Sequence, residues 1–166
     1  FTFPVKLEDN GAHALNAYHK DSLTVEYREG VFVGYRWAEK NDIKPLFAFG
    51  HGLSYTTFEY GKATCRRDGK GFKISVDVTN TGDRGGKEVV QLYIGDDESS
   101  LERPVKELKG FKKVWLNPGE QKEITINLSK RAFAFYNVKI NDWYVESGEF
   151  DILVGASSAD IRLSAT

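Results

Sequence analysis

The chain has 166 residues, 23 basic and 24 acidic side chains, and a net charge of −1; 40% of its residues are hydrophobic and 13% aromatic. That length suits one domain, or one domain with a long extension, and the composition excludes a largely disordered chain. Charge is evenly spread, with 6 basic and 7 acidic side chains in residues 1–56 and 17 of each in residues 57–166. A basic face able to hold nucleic acid by counterion release is therefore not expected. The longest apolar run, residues 132–136, has five members. A membrane span needs about 18 or more, so membrane insertion is not expected either. One cysteine, Cys65, leaves no internal disulfide and no cysteine-built metal site. The chain starts at Phe1 and contains no methionine, which predicts a processed product or a fragment.

In chain order, residues 11–22 are polar and mixed, with at most one or two helical turns over 12–18. Residues 23–27 and 31–37 read as short strands. This part lacks the periodic apolar residues to close a core alone, yet it carries Phe32, Tyr35, Trp37, Leu46, Phe47, Phe49 and Tyr55. Such side chains need something to pack against, so the segment reads as the tail of another domain plus a linker.

From Phe58 the period becomes two. Phe72, Ile74, Val76 and Val78 alternate with Lys73, Ser75, Asp77 and Thr79 as in a half-buried strand. Thr81-Gly82-Asp83-Arg84-Gly85-Gly86 ends it with turn chemistry. Val90, Leu92 and Ile94 line one face of the next strand, and residues 110–116 form another. Asn117-Pro118-Gly119 follows as a turn with glycine at φ > 0. It is expected to set the register of 110–116 against 122–128, where Ile124, Ile126 and Leu128 alternate with polar residues. Phe133, Phe135, residues 143–145 and residues 150–154 complete about seven short strands. The pattern predicts an all-β fold: an immunoglobulin or fibronectin type III-like antiparallel β-sandwich with an N-terminal extension. The missing cysteine pair favours the fibronectin-like variant.

Candidate chemistry is sparse. Glycoside hydrolysis needs two carboxyl groups about 5–9.5 Å apart, and Glu26 and Glu29 are the best local pair, in a segment that reads as structural. Asp96-Asp97-Glu98 lacks the spaced ligands and central glycine of a calcium loop and reads as a solvated loop. His13 and His19, six apart, do not have the spacing of a zinc pair on a helix. His51, between two glycines, reads as a residue that bonds the main chain. Lys106, Lys109, Lys112 and Lys113 read as a solvated sheet edge. Trp115, Trp143 and Tyr144 are candidates for a sugar-stacking platform, although aromatic residues in strands more often serve the core. No catalytic residue, metal ligand or cofactor-binding residue is assigned.

Several strings taken together resemble one family. They are Glu29-Gly30-Val31-Phe32-Val33-Gly34-Tyr35-Arg36, then Phe49-Gly50-His51-Gly52-Leu53-Ser54-Tyr55-Thr56-Thr57-Phe58. Next come Val78-Thr79-Asn80-Thr81-Gly82, Gly86-Lys87-Glu88-Val89-Val90-Gln91-Leu92-Tyr93 and Arg103-Pro104-Val105-Lys106-Glu107-Leu108-Lys109-Gly110-Phe111. Leu116-Asn117-Pro118-Gly119-Glu120 and Val154-Gly155-Ala156-Ser157-Ser158-Ala159-Asp160-Ile161-Arg162 complete them. In this order they resemble the C-terminal end of family-3 glycoside hydrolases, the β-glucosidase and β-xylosidase group.

The resemblance implies that residues 1–40 end an α/β sandwich domain, 41–57 connect, and 58–166 form a fibronectin type III-like domain. It also implies that the nucleophilic aspartate lies in a barrel domain and the acid/base glutamate in the α/β domain, both outside this chain. The expected function is a non-catalytic scaffold of a retaining exo-acting β-glycosidase that acts on oligosaccharides and needs no cofactor. Its partners would be the barrel and α/β domains of the same enzyme. The resemblance slightly favours a periplasmic or extracellular setting over a cytoplasmic one. The alternatives are a carbohydrate-binding module, which predicts a row of exposed aromatics, and an adhesin-type module, which predicts repeats of the unit.

Overall fold

From Phe58 onward the alternating pattern becomes strands. The computed structural model describes residues 1–18 and 23–166. Seven strands form two antiparallel sheets: β1 (Phe58–Asp68), β2 (Gly71–Asn80) and β5 (Gln121–Ser129) in the order β1-β2-β5, and β3 (Gly86–Gly95), β4 (Glu107–Leu116), β8 (Asp151–Ser157) and β9 (Asp160–Ala165) in the order β4-β3-β8-β9. The hairpin of β6 (Phe135–Asn137) and β7 (Asp142–Tyr144) stands apart. The all-β sandwich is as expected, with nine strands among the described residues rather than about seven.

The core lies between the sheets. Ile74, Val76 and Val78 of β2 face Val90, Leu92 and Ile94 of β3, with Leu116, Ile124, Leu128, Phe133 and Val154 closing the cluster. Each such side chain contributes roughly 1.5–3 kcal/mol by leaving water. Gly110 lets the sheets approach: a Cβ there would meet Ile126 Cγ2 at 2.6 Å. At the sandwich edge Arg162 joins the two sheets. Its guanidinium lies 4.6 Å from the Tyr60 ring centroid and donates to the Phe58 carbonyl at 2.9 Å.

Gly119 has φ +72°, and the Glu120 N–H closes the turn on the Asn117 carbonyl at 3.0 Å, as the Pro-Gly pair predicts. The turn does not set a hairpin register, however. It carries the chain from one sheet to the other, since β4 pairs with β3 while β5 pairs with β2, Ile124 opposite Val76 and Ile126 opposite Ile74. A Cβ on Gly119 would meet nothing within 4 Å, so a side chain there acts only through backbone strain. Gly119→Val is expected to cost about 1–3 kcal/mol, read as a lower melting temperature. An unchanged melt would mean the turn relaxes out of the left-handed region at no cost.

The N-terminal part departs from its expected strands. Helix α1 (Gly11–Ala14) is a single turn, capped by the Asn10 side chain, which accepts from Ala12 N–H at 3.0 Å. Residues 31–37 alternate like a strand, but Gly34 at φ +66° breaks the extended path, and helix α2 (Tyr35–Lys40) begins there. In place of a strand, residues 23–27 form an isolated bridge between Val25 and Tyr18. Phe133 belongs to a 3-10 turn, Lys130–Phe133, and not to a strand.

Candidate functional site

Strand β3 has a second buried face. Val90, Leu92 and Ile94 point into the sandwich, yet Gln91 and Tyr93 on the opposite face are 4% and 0% exposed. What covers them is the N-terminal part of the same chain. Tyr35 of α2 meets the Tyr93 ring edge-on at 6.0 Å and stacks on Phe49 at 5.1 Å. Its hydroxyl accepts from the Leu108 N–H at 2.8 Å. The Gln91 side-chain amide donates to the Ala156 carbonyl at 2.6 Å and accepts from the Tyr93 hydroxyl at 2.6 Å. Ser158 N–H donates to the Phe49 carbonyl at 2.9 Å. Phe32 and Tyr35, which looked unpartnered in sequence, are thus buried within the chain.

The Arg103–Phe111 string is the strip on which α2 docks. Arg103 and Asp96, with side chains only 6% and 7% exposed, pair at 2.7 Å. Arg103 also reaches Glu107 at 3.2 Å, Arg36 reaches Glu107 at 3.1 Å, and Lys106 reaches Glu39 at 2.6 Å. Two sequence expectations are corrected here. Asp96 is not part of a solvated loop, because its partner Arg103 is buried with it; Asp97 and Glu98 are exposed. Lys106 and Lys109 are held in ion pairs, with Glu39 and Glu107, while Lys112 and Lys113 are exposed on edge strand β4.

Burial alone would raise the Glu107 carboxyl, but Lys109, Arg36 and Arg103 outweigh it and hold the group below its ordinary value. A carboxyl lowered by folding stabilises the native state above its ordinary pKa and stops doing so as pH falls through the lowered one. The melting-temperature gap between the chain and Glu107→Gln is therefore expected to be open at neutral pH and to close on acidification below the ordinary carboxylate range. A gap that stays constant would contradict it. Glu39 has the opposite sign: burial raises it against the pull of Lys106, so acid relieves that group.

Residues 50–57 form a strap over one end of the sandwich. Gly50 sits at φ +82° against Gln91. Thr56 donates to the Asn80 Oδ1 at 2.6 Å. Between these anchors Leu53 and Tyr55 are 95% and 92% exposed. Among the described residues the His51 side chain makes no bond to the main chain, contrary to expectation; its ring lies 5.3 Å from Phe47. His51 and Trp115 both line an open groove of about 820 Å³ between the strap and β3.

The remaining candidates are not assembled into one site. Glu26 is engaged by Arg28 at 2.6 Å, and Glu29 has a buried oxygen, Oε2, with no hydrogen-bond partner among the described residues. His13 lies in α1 and His19 lies outside the described residues. The aromatic platform is divided. Trp115, on β4, is half-exposed beside Gly85, whereas Trp143 lies on β7 against Tyr136 at 5.7 Å with Arg131 over its ring at 3.9 Å. Tyr144 follows Trp143 in the strand and so faces the other way, against Phe135 at 6.0 Å. Sequence reasoning did not single out Gln91, Asn80, Tyr35 and Arg103 as positioning residues. The available signal was Gln91 and Tyr93 set among the apolar residues of a strand, which marks a face that something covers.

Residues 88–158 match the fibronectin type III-like domain family. The whole chain is 56% identical to Thermostable beta-glucosidase B of Acetivibrio thermocellus, covering 98% of this chain and 22% of that protein. It also superposes on the crystal structure of the Bifidobacterium adolescentis GH3 beta-glucosidase with a TM-score of 0.93 at 41% identity, covering 99% of this chain and 24% of that one. The chain belongs with the C-terminal part of the family-3 glycoside hydrolases. It spans about a fifth of the length of the curated relatives it matches. One of these, the Exo-alpha-(1->6)-L-arabinopyranosidase of Bifidobacterium breve, is 42% identical over 98% of this chain and is named for a different sugar and linkage.

Proposed function

We propose that the chain is the non-catalytic scaffold of a retaining exo-acting β-glycosidase of β-glucosidase type. In this reading residues 1–40 end an α/β sandwich domain, 41–57 connect, and 58–166 are the fibronectin type III-like domain. The observation that carries it is the distribution of large apolar side chains. The sandwich fills its own core, but Phe1, Val5, Leu23, Tyr27, Leu53 and Tyr55 remain exposed on the tail and the strap. Exposed groups of that size mark surfaces awaiting a partner, and the relatives are several times longer than this chain. A rigid sandwich seated on both catalytic domains would fix their spacing, and catalytic geometry is sensitive to shifts near 1 Å.

The chemistry belongs to those domains. A carboxylate attacks the anomeric carbon while an acid protonates the leaving oxygen, giving a glycosyl-enzyme that water then hydrolyses. Relatives named for different sugars, a Probable beta-glucosidase I and the arabinopyranosidase, share this portion at 42% identity each, which fits a part that does not choose the sugar. The 166-residue chain is expected to be inactive on aryl β-glucosides and aryl β-xylosides. Turnover by purified chain that survives mutation of both Glu26 and Glu29 to Gln would overturn the reading.

A further inference from the structure

Among the described residues, none from the tail enters the buried cluster of the sandwich, which starts at Tyr60. The tail therefore docks on a domain whose core is already filled. Helix α2 meets that domain through Tyr35, edge-on against Tyr93, and through three ion pairs: Arg36 with Glu107 at 3.1 Å, Glu39 with Lys106 at 2.6 Å and Lys40 with Glu102 at 2.6 Å. Left-handed residues lie just before and just after the helix, Gly34 at φ +66° and Asp42 at φ +53°, so the chain turns at both ends of it.

The sandwich holds the acceptor ready. Arg103 Nη1 donates to Asp96 Oδ2 at 2.7 Å and to the Phe133 carbonyl at 3.2 Å. Its Nη2 is left for Glu107 Oε2 at 3.2 Å, and Lys109 reaches the same oxygen at 3.1 Å. With Oε2 held from the sandwich side, Oε1 is the atom that meets Arg36. An acceptor fixed in advance loses little freedom when its partner arrives. We propose that α2 is a latch that opens and closes on residues 102–109 while the sandwich stays folded, with Glu107 as the acceptor that holds it shut. Its attachment is largely polar, and half-buried ion pairs contribute less than a filled core, so the latch is the weaker unit and opens first. Closed, it fixes the direction in which the tail leaves the sandwich. That this direction orients a catalytic domain rests on the scaffold reading; that the latch opens as its own unit does not.

Hydrogen exchange on the 166-residue chain tests the latch. The Leu108 N–H, on edge strand β4, donates to the Tyr35 hydroxyl at 2.8 Å, so its exchange reports whether α2 is in place. Arg36→Met removes the charge that meets Glu107, and Lys106→Met removes the partner of Glu39. Each is expected to speed exchange of the Leu108 amide by about 3- to 10-fold and to leave the Val76 and Leu92 amides unchanged. Lys122→Met breaks a pair with Glu120 at 2.8 Å, outside the strip, and is expected to leave Leu108 as it was. Unchanged Leu108 exchange in both α2-pair variants would mean that the ion pairs do not hold the helix. Acceleration at Val76 and Leu92 by the same factor would mean that tail and sandwich open as one unit. Either result overturns the latch, as does an effect of Lys122→Met equal to that of Arg36→Met. The full-length polypeptide that contains the chain separates the latch from the scaffold reading. There Arg36→Met is expected to speed Leu108 exchange again and to lower kcat/KM on an aryl β-glucoside by about 2- to 5-fold. Faster exchange with unchanged kcat/KM keeps the latch and counts against the scaffold reading. Unchanged exchange with lowered kcat/KM overturns the latch and leaves that reading standing.

Discussion

Asn80→Ala is expected to lower the melting temperature of the chain by about 6–12 °C. The Asn80 side chain is fully buried, and its amide is used at both ends. Oδ1 accepts from the Thr56 hydroxyl at 2.6 Å and the Gly82 N–H at 3.1 Å; Nδ2 donates to the Arg84 carbonyl at 2.7 Å and the Leu116 carbonyl at 3.0 Å. The main chain of Asn80 adds bonds to Gly119 and Glu120. One residue thus ties the strap, the turn after β2 and the crossing from β4 to β5. Alanine would orphan several buried groups at about 1–3 kcal/mol each, offset in part by relaxation, for a total of about 3 kcal/mol. For a chain of this size that is about 2–4 °C per kcal/mol. Asn80→Asp is expected to be no better, since it keeps the oxygen that accepts from Thr56 and Gly82 but turns a second oxygen toward two carbonyls. Thermal melts of the three proteins check this, and a shift of less than about 2 °C for Asn80→Ala would contradict the network's role.

Gly50→Ala is expected to be comparably harmful and to act through the strap. Two effects add. A φ of +82° is a conformation that L side chains rarely adopt, and a Cβ would meet the Gln91 amide, with Cδ at 2.8 Å. Gln91 cannot yield, because Ala156 and Tyr93 hold its amide on a buried face. Left-handed strain and overpacking each cost about 1–3 kcal/mol. The distinguishing readout is hydrogen exchange: protection of the Ser158 amide, which bonds the Phe49 carbonyl, should fall while core amides such as Val76 and Leu92 follow only the global loss. Uniform loss of protection would mean the strap is not a separate docking element. Intact protection with an unchanged melt would mean Gln91 accommodates the methyl group after all.

The sandwich was legible in the sequence because its signal is local. Two-residue alternation in Ile74–Val78 and Val90–Ile94 follows from strand geometry alone, and Pro118-Gly119 announces a turn with φ > 0 wherever it is placed. The family strings were legible too, and the comparisons agree with them. Sequence alone did not decide which strands pair across that turn, because a Pro-Gly turn looks the same whether it closes a hairpin or changes sheets. The helix at Tyr35–Lys40 was hidden because Val31, Val33, Tyr35 and Trp37 alternate like a strand, and only the left-handed Gly34 breaks the run. The docking strip was hidden for a different reason. Arg36, Glu39, Asp96, Arg103, Lys106 and Glu107 are ordinary surface charges by composition, and the half-buried pairs Arg36–Glu107 and Lys106–Glu39 exist only because α2 folds back onto this strip. Local periodicity specifies which face of a strand is apolar; whether the polar face also meets protein depends on residues some fifty positions away, and only tertiary contact decides that.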